Sequence, residues 1–153
     1  MPESLAQTER ETSCLPGFPL ESGGMQTRAD YEASICQRLR QAERVPFRVV
    51  SLKGWRPKVG DCHRNVDKWV EANRGATAVR GWVTYARLGD AIGLTAHSVV
   101  RSLDGHLFDI TPLENECYRT GMRFVPHLGE EQVFCAMKEL GIYINCPSEQ
   151  KWA

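Results

Sequence analysis

Asp104-Gly105 is the strongest constraint on how this chain folds. An Asp-Gly pair between apolar-rich runs marks a tight hairpin, because such turns need residues that tolerate positive φ. It separates two strand-like runs, 97–103 and 106–110. His97 lies seven residues before Asp104 and Asp109 four residues after Gly105, one on each strand. Neighbouring strands sit about 4.8 Å apart, so an imidazole and a carboxylate that share a face can hydrogen-bond. Alternation alone leaves the register open, because a bulge at Gly105-His106 would change which residues face each other.

Upstream, residues 53–60 carry Gly54, Pro57 and Gly60 and read as a loop. Asp61 stands where it can cap a helix over 62–73, with Val66, Trp69 and Val70 as its apolar side and Gly75 as its C-terminal stop. Cys62 lies one turn before Val66, so its thiol looks toward the interior. Tyr31, Ile35, Leu39 and Ala42 recur at helical spacing and predict a helix over 29–43, closed by Pro46. Further strands are predicted at 47–52, 76–85 and 120–125, with a short edge strand at 142–145. A flexible loop is expected between Gly89 and Gly93, and a second amphipathic helix at 130–140. Residues 1–27, rich in Glu, Ser, Thr, Gly and Pro, read as a disordered tail, which leaves 28–153 as one domain.

Thiol, imidazole and carboxylate on these elements are the parts of a nucleophile, its base and its orienter. A helix start and a nearby imidazolium both favour the thiolate. Asp61 opposes them unless its carboxylate is used as the cap. The helix-start amides can hold an oxyanion, with Trp55 as the candidate second donor and Lys58 behind it. Asn65 can bind a neighbouring loop or substrate, and Trp82 can line a groove, though its size also suits the core. His63 is set aside as a base because adjacent helical residues diverge. His106 and His127 have no evident partner.

With 19 basic and 19 acidic residues the formal net charge is zero, which argues against a general nucleic-acid or membrane-surface binder. No apolar run reaches the roughly 18 residues of a membrane span. The N-terminus lacks the pattern of a classical signal peptide, which points to the cytoplasm or to export by another route. The six cysteines show no Cys-x-x-Cys pair, so reduced thiols are expected, with Cys36 and Cys135 as small core residues. Cys62, His63, His97, His106 and Cys117 offer zinc-ligand types, but at spacings that match no compact zinc motif, and no metal is expected. No phosphate-binding glycine loop occurs.

Order and context resemble the transglutaminase-like branch of the papain-like cysteine enzymes. The resemblance runs from Gly60-Asp61-Cys62 through Arg80-Gly81-Trp82 and His97-Ser98-Val99-Val100 to Gly105–Pro112, over about 45–112. The Arg-Gly-Trp element is shorter than the family form, and Ser98 stands where an aromatic-containing run is common. The resemblance implies an α+β papain-like domain, with N-terminal helices packed on an antiparallel sheet. It implies acyl transfer by Cys62, His97 and Asp109, without cofactor, on a protein or peptide amide. Hydrolysis, as a peptidase or glutamine deamidase, is favoured because the chain is small and shows no second-substrate module. Transfer to an amine, or a non-catalytic binding module on the same fold, is the alternative. Calcium is not implied, since no acidic calcium loop is present.

Overall fold

The computed structural model describes residues 26–88 and 91–147. The tail read over 1–27 therefore lies almost wholly outside the described residues. Its last residue, Thr27, caps helix α1 (Arg28–Gln37) by accepting from the Asp30 amide at 3.1 Å. Tyr31, Ile35 and Leu39 are buried as their spacing predicts. The helix is nevertheless shorter than 29–43. Arg38 leaves helical geometry to reach the Pro126 carbonyl at 2.6 Å, and the chain tightens into a 3-10 turn over Leu39–Gln41.

Five strands form an antiparallel sheet: β1 (Thr77–Leu88), β2 (Ala91–Arg101), β3 (Leu107–Phe108), β4 (Phe124–Pro126) and β5 (Tyr143–Cys146). With α1, α2 (Cys62–Ala72) and α3 (Glu131–Leu140) the domain is α+β. β1 and β2 make one long hairpin, paired from Thr77↔Arg101 to Leu88↔Ala91. The loop expected between Gly89 and Gly93 is instead largely strand. Gly93 pairs with Ala86 on one side and Asn145 on the other, because β5 completes the ladder along Ile92–Thr95. Tertiary pairing overrides the weak strand preference of glycine here.

The strand read over 47–52 does not form. Phe47 makes an isolated parallel bridge to Asp109, with the Asp109 amide donating to Pro46 O at 2.8 Å and the Arg48 amide to Asp109 O at 2.9 Å. Beyond it Val49 is 91% exposed, and Leu52 turns back on Trp55 around Gly54 at φ 72°. Glu116–Gly121 forms a 3-10 helix, which shortens the strand read at 120–125 to β4. The Asp104-Gly105 turn forms, with Gly105 at φ 90° and the Ser102 amide bonded to His106 O at 2.8 Å.

Trp82, Leu94, Phe134 and Ile144 fill the core between the sheet, α1 and α3. α2 seats Val66 against Val100, Phe108 and Ile110. Each of these side chains contributes roughly 1.5–3 kcal/mol by leaving water. Cys36 on α1 is bonded to Cys146 on β5, with Cα atoms 5.4 Å apart, and Cys135 is also disulfide-bonded. This overturns the expectation of reduced core thiols. The sequence offers no spacing cue for a pair 110 residues apart. Among the described residues Cys62 and Cys117 are free, and Cys14 lies outside them.

One edge feature positions the site. β1 runs along one side of β2. On the other side β5 pairs with Ile92–Thr95 and β3 with Val100 and Arg101. Between them, among the described residues, His97, Ser98 and Val99 have no ladder partner on that side. The N-terminus of α2 meets this gap.

Candidate active site

Cys62 opens α2 and is half-buried. Asp61 takes the cap position, but its carboxylate makes no capping bond and lies 4.0 Å from Arg64 Nε. The predicted side-chain cap is therefore absent, and the first-turn amides are not consumed by it. α2 meets an open strand edge, so groups from both faces of β2 bear on the thiol. His97, on one face, favours its thiolate. Cys62's chain neighbour His63 acts in the same sense, and His63 is tied to Ser98 on the other face.

His97 Nε2 meets Asp109 Oδ2 at 2.8 Å, and both residues are buried. With Nε2 occupied, Nδ1 is the nitrogen left for Cys62. Asp109 is itself over-determined. Its Oδ2 also accepts from Arg119 Nη1 at 3.1 Å, and its Oδ1 accepts from the Thr111 amide at 3.0 Å. Arg119 is held in turn by Glu116 and by Thr111 O. Burial alone would raise the Asp109 carboxyl, but His97, the Thr111 amide and Arg119 together hold it below its usual range.

Burial would likewise raise the Cys62 thiol. Hydrogen bonding by His63 and His97, with the charge of His97, outweighs it and holds the thiol at about 5. Burial would lower His97, yet its bonds to Asp109 and Cys62 raise it to about 10. The sulfur and His97 are thus poised as thiolate and imidazolium.

Phe124 packs edge-on to His97, ring centroids 6.5 Å apart. Gly81, the register partner of His97, makes room for it. A Cβ there would clash with Val125 O and come within 2.6 Å of Phe124 Cζ. That is why the Arg80-Gly81-Trp82 run needs its glycine.

The site opens into a cleft of about 1270 Å³. Among the described residues lining it, Arg40, Arg44, Arg123 and Lys138 stand against one carboxylate, Glu114.

Cys62, His97 and Asp109, singled out from sequence, converge. The three subsidiary candidates do not line the cleft. Trp55 packs under Lys68 in the cluster around Val66, away from the cleft lining. Trp82 is fully buried, its Nε1 donating to Tyr31 Oη at 2.9 Å, so it lines no groove. Asn65 spends its amide on Lys58 O and Thr111 Oγ1, at 2.8 and 3.1 Å, and accepts from the Lys58 amide at 3.0 Å. It fixes the loop before α2 to the segment after Asp109 and has no donor left for substrate.

His63 and Arg119 were not legible as site residues. The divergence of adjacent helical side chains excludes His63 only when both must reach one flat surface, and an open strand edge is not one. Arg119 carries no local motif. His127 also gains a partner, Tyr31 Oη at 2.8 Å. No metal-holding group of three or more His, Cys, Asp or Glu occurs among the described residues, and no helix among them is long and apolar enough to cross a membrane.

Compared with known proteins, the chain matches no family model, no curated protein and no solved structure.

Proposed function

We propose that this chain is a cysteine-dependent acyl-transfer enzyme of the papain-like, transglutaminase-like kind that hydrolyses an amide. One observation carries the reading: an imidazole held by a buried carboxylate lines the same cleft as a half-buried sulfur at a helix start and favours its thiolate. Cys62 gives its proton to His97 Nδ1, and the thiolate attacks the carbonyl carbon of a carboxamide or peptide. First-turn amides of α2 serve the oxyanion. His97 returns the proton to the leaving nitrogen as the C–N bond breaks, which releases ammonia or an amine and leaves a thioester. Water, deprotonated by His97, then attacks the thioester, and the acid leaves as Cys62 is restored. Asp109 keeps the imidazole oriented through the cycle and stabilises its charged form whenever it holds the proton.

The excess of cations along the cleft favours an amide flanked by acidic groups on a protein or peptide. The paired cysteines favour an oxidising compartment, in line with export rather than with the cytoplasm.

The test is an electrophilic probe followed by intact mass and peptide mapping. Cys62 labels ahead of Cys117, with a rate that rises through about pH 5 as the thiolate forms. Turnover of glutamine-containing peptides, read as ammonia or cleavage products, falls again above about pH 10 as His97 loses its proton. Cys62→Ala abolishes turnover and costs only about 1 kcal/mol of stability. Labelling of Cys117 alone, or undiminished turnover in Cys62→Ala, refutes the assignment. Incorporation of a labelled primary amine in place of water identifies a transferase.

A further inference from the structure

Two imidazoles, His63 and His97, line the cleft with Cys62 and favour its thiolate, and their surroundings differ. His97 faces a carboxylate, whereas His63 Nδ1 faces a hydroxyl, Ser98 Oγ, at 2.6 Å. That hydroxyl also contacts Arg80 Nη1 at 2.9 Å. A guanidinium can only donate, so Ser98 Oγ accepts from Arg80. Arg80 is fixed by Asp67 at 2.5 Å and Glu131 at 2.8 Å.

Ser98 is fully buried and has one proton to place. Directed at His63 Nδ1, the proton is satisfied. Were His63 to donate from Nδ1 instead, the hydroxyl proton would be buried without an acceptor among the described residues, which is costly. His63 Nδ1 is therefore the acceptor, and the ring carries its proton on Nε2. With Nδ1 engaged by Ser98, Nε2 is the nitrogen that reaches Cys62. Phe134, edge-on at 5.8 Å, holds the ring in that orientation.

We propose that His63 is a further catalytic residue, a dedicated hydrogen-bond donor to the Cys62 sulfur, with Ser98 and Arg80 as the positioning residues that lock its Nε2–H tautomer. This rests on the reading of Cys62 as the nucleophile. The thiol proton goes to His97 and not to His63, which keeps its own proton on Nε2 throughout. One imidazole moves a proton while the other stabilises the charge left behind on sulfur.

The experiment uses the full chain. Nitrogen NMR of ¹⁵N-labelled histidine at mildly alkaline pH reads the tautomer directly. A proton on His63 Nε2 is expected, and a proton on Nδ1 overturns the proposal. The alkylation rate of Cys62 against pH then gives the thiolate midpoint. His63→Ala moves that midpoint up by about one to two pH units, the worth of a charge-assisted hydrogen bond. Ser98→Ala moves it less, in the same direction. His63→Gln restores most of it, because its amide donates at similar reach but cannot act as a base. An unmoved midpoint in His63→Ala, or a His63→Gln midpoint as high as that of alanine, overturns the proposal. If a variant does not fold, the tautomer of the unsubstituted protein decides. These readouts need no substrate, so they stand or fall apart from the question of turnover.

Discussion

Two relays leave the same three residues of β1 and end differently. Arg80 donates to Ser98, which serves His63 and through it the Cys62 sulfur at the cleft. Two residues on, Trp82 donates to Tyr31, which serves His127 Nδ1, and His127 Nε2 ends on the Glu130 carbonyl at 2.9 Å. Both chains run donor to hydroxyl to imidazole, and both fix a tautomer. Phe134 packs against both rings. One relay ends on a backbone carbonyl, so it can only add stability. The other ends on a polarisable thiol beside open space, so it can alter reactivity. The comparison teaches that a buried polar chain acquires chemistry from what terminates it, not from its own composition.

The two ends of the molecule should therefore fail differently. The largest effect is expected at the cleft end, from Asp109→Ala. It strips His97 of its carboxylate and Arg119 of one of its two, and leaves the buried imidazolium uncompensated. A loss of about 3–5 kcal/mol in denaturant melts is expected, together with a severe loss of turnover. Asp109→Asn should retain more stability while turnover still falls by powers of ten. An Asp109→Ala protein with unchanged melt and turnover would remove the distinction between the two ends.

Next is the staple at the other end. Replacing Cys36 and Cys146 together by alanine should cost about 2–5 kcal/mol in thermal or denaturant melts. Below the melt, probe loading of Cys62 should be unchanged. A large change in Cys62 reactivity would mean that the two ends are coupled through the sheet.

Tyr31→Phe is the mildest test. It removes the hydroxyl that links Trp82 to His127 and should cost about 1–2 kcal/mol, with no movement of the Cys62 alkylation midpoint. Ser98→Ala should show the converse pattern.

The sequence by itself determined the turn, the amphipathic faces and the order of the chemistry. Asp104-Gly105 favours a hairpin from local backbone preference, which put the runs of His97 and Asp109 side by side and left their register to the fold. The spacing of Tyr31, Ile35 and Leu39 and the helix start at Cys62 are local facts, set by periodicity and backbone preference. What only the tertiary structure decided involves residues far apart in the chain. Gly93 is strand because β5 lies beside it, and 47–52 is not strand because, among the described residues, it makes only isolated bridges, Phe47 to Asp109 and Leu52 to Trp55. Cys36 meets Cys146, and Arg119 folds back onto Asp109. His63 joined the site because β2 has an open edge between β5 and β3. That gap is a property of three strands at once, and no window of sequence contains it.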